Sequence, residues 1–384
     1  MKIVKLWCGC LAFTIFIAGA GNLFAHERKT DKIVEILKSK GIITDQDAAS
    51  VADETNWFEN LTMGGAVELQ FQYLTDRDRS DPNTDSTSEL FLATMQLGIE
   101  AKVNDSTTAN VVLLAEDVGH SGDTGGNEKI GVDEATFTVD SLGGTPIYLV
   151  GGKRSLPFGQ FYTHTISDPV THDAYEINKA SLTIGAAVEK VANLDTSLTV
   201  YRGEDMMNQI VGMGATFTRD YASAAEETDD VNSFIITASV TPMENLTAGL
   251  AYASEPGFDA RNNTVNLFAE YSIHNLTFDA EYFTGLKREK IGGQEYKETS
   301  FAVGFAYQVN DPLELAIRYE EFDNDRSTPA TGDIDYNFIL GANYGVMDNL
   351  DLMFEVRCLN EEDGGDSTYE KMAHEVNLML AAGF

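Results

Sequence analysis

The feature that most constrains this chain is a two-residue hydrophobic period that recurs, segment after segment, from Trp57 to the last residue. An alternation of apolar and polar residues predicts β-strands with one apolar and one polar face. Clear examples are Val265, Leu267, Ala269, Tyr271 and Ile273; Phe301, Val303, Phe305, Tyr307 and Val309; and Phe91, Ala93, Met95, Leu97 and Ile99. A soluble β-sandwich also alternates, so the period alone does not decide between the two architectures.

Segment length and turn spacing favour a membrane barrel. The segments are about ten residues long, which is the length of a tilted transmembrane strand. Tight turns alternate with longer polar loops; the turns fall at Asn104-Asp105, Asn245, His274-Asn275, Asp311-Pro312 and Asp348-Asn349. The sequence therefore predicts an all-β fold, a transmembrane antiparallel β-barrel over residues 57–384 in a bacterial outer membrane.

Strand number follows from the position of the chain ends. About seventeen segments qualify as strands, including a weak one at 211–217, but a bacterial barrel with both ends in the periplasm needs an even number. We therefore expect about 16 strands. The last strand alternates to the end through Val376, Leu378, Leu380, Ala382 and Phe384. Such a strand with a terminal aromatic is typical of the signal read by the outer-membrane assembly machinery, a predicted partner.

The region before the barrel predicts export. Residues 1–25 combine Lys2 and Lys5, an apolar stretch and small residues up to Ala25, as in a signal peptide. Its removal takes two of the three cysteines and leaves Cys358, so no internal disulfide is expected. Residues 26–56 have helical spacing and predict a short N-terminal helical prefix in the periplasm. That prefix is too short to plug a large barrel, so any transport should be passive.

Charge narrows the partners. The formal net charge is -35, which argues against nucleic-acid binding because that requires a basic surface. Predicted partners are outer-membrane lipid and lipopolysaccharide around the barrel, a small-molecule solute within it, and a possible homotrimer. No cofactor is expected.

The polar faces of the strands should line a water-filled lumen, because a barrel of this size is too wide for side chains to fill. The predicted inward carboxylates are Glu68, Glu100, Glu134, Glu189, Glu270, Asp279, Glu281 and Glu314, with Arg318 and Arg357 among them. A lumen lined in this way should prefer cations. The alternative is that these are ordinary solvated charges with no influence on selectivity.

One internal segment, 151–185, departs from the pattern. Lys153 and Arg154 end a strand, and an irregular loop at 160–178 follows with Asp168 inside it. It is the third long loop, which in many porins folds inward and narrows the lumen. Lys153 and Arg154 could bind an anionic ligand or set up a transverse field opposite carboxylates; equally, they could form salt bridges at the rim.

The run GGKRSLPFGQFYTHTISDPVTHD at 151–173, followed by Glu176 and Gly185, resembles the signature segment of the LbtU-type siderophore porins, and the prefix KIVEILKSKGIITDQDAASV is similar to their N-terminal element. The resemblance implies an outer-membrane barrel with a role in siderophore uptake, so that the solute could be a ferric siderophore. It carries over no ligand-binding residues.

Other chemistry finds little support. His164 and His172 flank Asp168 and Asp173, but the spacing matches no zinc or iron pattern, so no metal is expected. No serine is evidently paired with His374, so an enzyme is not expected. Three hypotheses remain: a passive channel for siderophores or related solutes, a general cation-preferring diffusion porin, and a closed structural or adhesive barrel.

Overall fold

The computed structural model describes residues 60–78, 86–120, 129–212, 230–257, 260–291, 294–295, 297–323, 333–362 and 370–384. The predicted signal peptide at 1–25 and helical prefix at 26–56 lie outside these residues and stay predictions. Within the described ranges, no helix is long and apolar enough to cross a lipid bilayer.

Sixteen antiparallel strands in the described part of the chain form one closed barrel, in which β1 pairs with both β2 and β18. The barrel strands are β1 (Leu61–Asp78), β2 (Ser86–Asn104), β3 (Thr107–Val118), β4 (Gly131–Val139), β5 (Ile147–Ser155), β6 (Asn178–Val188), β7 (Leu194–Tyr201), β8 (Ser233–Met243), β9 (Leu246–Glu255), β10 (Asn262–Ile273), β11 (Leu276–Lys287), β14 (Thr299–Asn310), β15 (Leu313–Asp323), β16 (Asp333–Met347), β17 (Leu350–Glu362) and β18 (Glu370–Gly383). A small hairpin, β12 (Lys290–Ile291) with β13 (Gln294–Glu295), lies in the loop before β14. Among the described residues, two helices, α1 (Val170–Tyr175) and α2 (Asp205–Gly212), lie in long loops, and a short 3₁₀ turn covers Leu142–Gly144. The predicted barrel with sixteen strands is confirmed.

Helix α2 explains the surplus strand in the sequence prediction. The weak segment predicted at 211–217 begins inside α2, so Val211 and Gly212 are helical; residues 213–217 lie outside the described residues. This region, whose acidic and polar composition made its strand pattern weak, lies between β7 and β8 in the chain.

The predicted apolar faces point outward to the lipid. Side chains such as Leu69, Leu267 and Val303 remain 40%, 49% and 48% exposed although they are large and apolar. An apolar surface this extensive, repeated on strand after strand, is what a bilayer requires and what a soluble protein avoids.

The predicted outward face of β2 is wrong at the start of that strand. Leu69 pairs with Leu92 but Glu68 pairs with Thr94, so a β-bulge leaves Ala93 unpaired. A bulge reverses the alternation beyond it. Phe91 therefore faces the lumen, where it is buried and its ring meets that of His120 edge-on at 4.8 Å.

The two ends of the barrel differ. At one end lie the predicted tight turns, including His274 and Asn349 with positive φ of 55° and 61°, and here β1 begins and β18 ends. At the other end lie the longer loops, which in outer-membrane barrels are extracellular. Glu189, predicted to face the lumen, instead lies exposed in the turn between β6 and β7, because β6 ends at Val188.

The final strand closes the ring. The side chains of Val376, Leu378, Leu380 and Ala382 share the outward face with their partners on β1, and Phe384 exchanges backbone hydrogen bonds with Gly65 at 3.0 Å. The Phe384 ring lies where a Cβ on residue 65 would be, which explains the glycine there. The role of this strand as an assembly signal stays a prediction.

Candidate functional site: a constriction built by loop 3

Residues 156–177, which we call loop 3, join β5 to β6 and fold into the barrel. The backbone N–H of Leu156 donates to the carbonyl of Ile177 at 2.8 Å, so the loop leaves and re-enters the wall at one narrow neck. Just beyond the neck, Gly159 has a φ of 120°, with the Phe161 ring packed over it. A residue with a side chain would be strained and would clash at this position. The glycine therefore directs the loop inward.

An apolar core holds the base of loop 3 inside the barrel. The Phe283 ring on β11 is fully buried and stacks on Tyr175 of α1, with ring centroids 4.2 Å apart. Phe158 meets the same ring edge-on at 5.5 Å. Helix α2 packs against α1, and the buried Glu255 carboxylate accepts hydrogen bonds from the first-turn N–H groups of Met206 and Met207. Packed side chains fill this side of the lumen.

Polar anchors fix the rest of the loop to the wall opposite its neck. Glu281 on β11 accepts hydrogen bonds from the backbone N–H groups of Gln160 and Phe161 at 2.7 and 2.9 Å. A carboxylate that accepts two backbone donors in a buried site holds them strongly, because charge-assisted hydrogen bonds are about twice as strong as neutral ones. Glu281 is 4% exposed, so it does not line the water path, contrary to the sequence prediction.

Arg318 on β15 makes the densest set of contacts. Its guanidinium donates to the hydroxyl groups of Thr163 and Thr165, to the Ser167 hydroxyl, and to the carbonyls of Ser167 and Asp168 at 2.8 and 3.0 Å. It also pairs with the fully buried Glu320 beside it. Arg318 was predicted to line the pore, but it is 2% exposed because loop 3 covers it; it is an anchor.

Strand β17 and a histidine of the loop complete the attachment. The backbone N–H of Ser167 donates to Glu355 on β17 at 2.9 Å, and Glu355 also accepts from Asn377 on β18. His164 of loop 3 lies 3.2 Å from Glu314 on β15 and 3.7 Å from Asp279 on β11. Loop 3 is thus bound to β11, β15 and β17, on one side of the barrel.

The free face of loop 3 carries carboxylates. The side chains of Asp168 and Asp173 are 45% and 55% exposed, in contrast to the covered anchors. His172 lies between them, with its Nε2 3.1 Å from Glu176. Burial alone would lower the pKa of His172, but hydrogen bonds with Asp173 and Glu176 and the charge of Asp168 raise it to about 11. One imidazole among three carboxyl groups makes this face acidic.

Carboxylates also line the wall that this face approaches. Glu68 on β1, Glu116 on β3 and Glu134 on β4 have inward positions and keep contact with solvent. Asp168 acts electrostatically on Glu68 and Glu116, and Glu176 acts on Glu116 and Glu134. The solvated passage therefore runs between loop 3 and the wall of β1–β4, with negative charge on both sides.

The remaining predicted residues have separate places. Arg154 faces inward beside Glu134, and its Nη2 donates to Thr183 at 2.9 Å. Lys153 has the outward register, opposite Ala135 and Ala180, and its ammonium donates to backbone carbonyls of β4 at the rim. It is therefore not part of the lumen wall. Arg357 faces inward and bonds to Asn337 and Glu375 within the wall.

Glu100 and Glu270 both face inward and both lie nearer the short-turn end, opposite Asn110 and Asp279. The structure thus brings only Glu68, Glu134, Asp168 and Arg154 of the predicted set to the constriction. It adds Glu116, Asp173 and Glu176, which sequence reasoning missed. The alternation along β3 could have indicated Glu116; the two loop residues had no periodic signal.

The described residues contain no group of three or more His, Cys, Asp or Glu side chains placed to hold a metal ion. The histidines of loop 3 instead contact carboxylates of the wall and of the loop, His164 with Glu314 and His172 with Glu176.

Solved structures share this architecture. The anion-selective porin from Comamonas acidovorans is 13% identical, with a TM-score of 0.62 over 84% of this chain and 99% of that chain. The outer-membrane channel DcaP of Acinetobacter baumannii is 13% identical, with a TM-score of 0.61 over 84% of this chain and 97% of that one. The Salmonella typhi OmpF complex with daunomycin is 13% identical, with a TM-score of 0.59 and coverages of 84% and 97%. At such identity the likeness shows the fold alone.

A search of curated protein sequences gives no match. The model of the Gram-negative porins, however, matches residues 47–364, which is most of the chain. A closed barrel of sixteen strands, a solvated lumen and a loop that narrows it agree with that match. The chain belongs to the Gram-negative porin family and is a passive channel of the outer membrane.

Proposed function

We propose that this porin is a diffusion channel that prefers small cationic solutes. The observation that carries the proposal is the placement of carboxylates on both sides of the passage: Asp168 and Asp173 on loop 3, and Glu68 and Glu116 on the wall. Fixed charges of one sign in a narrow aqueous passage concentrate counter-ions and repel ions of the same sign.

The arginines that were predicted to line the pore do not cancel this charge. Arg318 is covered by loop 3, and Arg357 is paired with Glu375 at 3.7 Å. Arg154 stands beside Glu134 on the wall. The selectivity named for the Comamonas acidovorans porin belongs to that protein; the carboxylates of this chain favour the opposite sign.

The test is the reversal potential of the refolded channel in a planar bilayer under a salt gradient. We expect a cation-selective potential in the wild type. In the E68Q/E116Q variant the cation-to-anion permeability ratio should fall by a factor on the order of 5, the effect of roughly 1 kcal/mol of Coulomb energy in water. The matched control D140N/E244Q neutralises two exposed carboxylates outside the barrel strands, at the short-turn end, and should change nothing. An anion-selective wild type would refute the proposal.

Siderophore uptake is a second candidate, because the segment that resembles the siderophore porins is the one that forms loop 3 and its neck. An acidic constriction favours a ferric chelate with positive charge over an anionic one. Ferrioxamine B, a cationic ferric trihydroxamate, is therefore the appropriate probe. Block of the current at micromolar concentration would support a siderophore porin; an unaffected current would leave general diffusion of cations.

A homotrimer is a separate proposal. Chemical crosslinking of the protein in native membranes would test it, with a ladder that stops at three protomers as the expected result.

A further inference from the structure

A second feature lies at the rim of the barrel, next to the neck of loop 3, at the end with the long loops. A cavity of about 760 Å³ opens between the end of loop 3, the start of β6, the end of β7 and helix α2. Its charged lining consists of Lys153, Lys179 and Arg202 with Glu176 and Asp205. The volume lies in the range of sites that hold small molecules.

The charge of this cavity differs from that of the passage. Three cations against two carboxylates give it a net positive charge, within a chain whose net charge is -35. The Lys179 ammonium contacts Asp205 at 2.6 Å yet the side chain keeps 36% of its surface exposed, so the pair does not close the cavity. A carboxylate or another anionic group would be attracted here and repelled from the constriction next to it.

The cavity also presents acceptors without donors. The side-chain oxygens Oδ1 of Asn178 and Oε1 of Gln209 are buried and accept no hydrogen bond, and both residues line the cavity. A buried acceptor left unpaired costs roughly 1–3 kcal/mol, so such atoms indicate a place for a donor. An ammonium or guanidinium group would supply the donor, and the Glu176 carboxylate would favour its charge.

We propose that this cavity is a docking site for amphoteric solutes, which carry one carboxylate and at least one cationic nitrogen, on their way to the constriction. The solute carboxylate binds Lys179 and Arg202, and its cationic nitrogen binds the oxygens of Gln209, Asn178 and Glu176. Glu176 belongs both to the cavity and to the carboxylates around the passage, since it acts on Glu134 and Glu116. The cationic end of a docked solute is thereby delivered to the constriction first.

The inference rests on the proposed cation-preferring channel, and one pair of probes separates the two. Arginine has a carboxylate; argininamide lacks it and is more positive. A lumen that only prefers positive charge should retain argininamide longer, whereas the docking site should retain arginine longer. We would add each probe to the long-loop side of the refolded full-length channel and measure the mean duration of current blockades.

We expect arginine blockades to last roughly threefold to tenfold longer than those of argininamide, the effect of one charge-assisted hydrogen bond at a partly exposed site. K179Q and R202Q should each remove the difference. The matched control is K297Q, which removes another loop lysine that lies near a carboxylate, Glu295, at 3.6 Å, and should preserve it. Since Arg202 is exposed, R202Q keeps the test decisive even if K179Q does not refold.

Argininamide blockades that equal or exceed those of arginine would overturn the docking site, as would the absence of arginine blockades. The reversal potential recorded in the same bilayer reports the proposed function separately. A cation-selective channel without the arginine preference would refute the docking site alone, and an anion-selective channel would refute the proposed function.

Discussion

Replacing Arg318 with Met tests whether loop 3 is held in place by its polar anchors. The change removes the donors to Thr163, Thr165 and Ser167 and to two loop carbonyls. It also leaves the fully buried Glu320 without its cation.

The expected loss of unfolding free energy comes mainly from the uncompensated charge of Glu320. Breaking a buried ion pair by removing one partner costs about 3–5 kcal/mol. The lost hydrogen bonds cannot be added in full, because the free guanidinium is well hydrated in the unfolded chain; a net of about 1–3 kcal/mol is reasonable for them. We therefore expect R318M to lower the free energy of unfolding by roughly 3–5 kcal/mol, and R318M/E320Q, which leaves no buried charge, by only about 1–3 kcal/mol.

Urea unfolding of the barrel in lipid or detergent measures the stability, and open-channel current noise reports the loop. Both variants should be noisier than the wild type, because both release the carbonyls of Ser167 and Asp168. The double variant should thus be more stable than R318M but have the same increased current noise. Arg357→Met is the matched control: this arginine faces the lumen from β17 but contacts Asn337 and Glu375 and not loop 3.

The reasoning fails if R318M matches the wild type in noise and lies within about 0.5 kcal/mol of it, the range of surface substitutions without specific contacts. It also fails if R357M is as noisy as R318M.

Three further changes test the interior. Phe283→Ala should lower the free energy of unfolding by about 3–5 kcal/mol in the same urea assay, because it empties a packed site inside the barrel; the lipid-facing Phe278→Ala should cost clearly less. Gly152→Ala should reduce the yield of folded barrel, since its φ is 129° and a Cβ would lie 2.0 Å from the Ala135 carbonyl oxygen, whereas Gly119→Ala meets no atom within 4 Å and should fold. The pKa of His172 is raised in the folded protein, so its protonated form stabilises the fold; this stabilisation is complete below the unfolded pKa near 6.5, declines as pH rises and is lost above about 11. Between pH 7 and 10 the wild type should therefore lose more stability than His172→Gln. Equal slopes of unfolding free energy against pH in the two proteins would contradict this.

The outward face of the barrel was predictable because lipid imposes one requirement on every strand. Leu267 and Val303 face the lipid and are therefore apolar, and the two-residue hydrophobic period in the sequence shows this directly. The turns were equally visible, since a two-residue connection needs residues that tolerate positive φ, such as Asn349.

The inward face was not predictable in the same way, because loop 3 divides it into covered and solvated parts. Ile235 and Phe283 are apolar at inward positions where the loop and α2 cover them, so β8 and β11 carry apolar residues on both faces. Arg318 and Glu281 have the residue types of a pore lining and lie behind the loop. Their role depends on contacts more than one hundred residues apart in sequence, such as Glu281 with Gln160, and no local pattern records such contacts.

The bulge at Ala93 and the register of Lys153 show a similar limit. One unpaired residue moves Phe91 from the lipid to the lumen, and two adjacent basic residues at a strand end face opposite ways. The sequence shows that an aromatic residue and two basic residues occur at these strand ends, but only the pairing of the strands determines which face each side chain is on.

The division of loop 3 into an attached and a free face has a consequence for how this channel can change. Residues such as Thr163 and Ser167 are constrained by the wall, whereas Asp168 and Asp173 point their carboxylates into water. Substitutions of the free-face carboxylates can alter which solutes pass while the hydrogen bonds of Glu281 and Arg318 to the loop stay in place. Single substitutions can therefore change selectivity without detaching loop 3 from the wall.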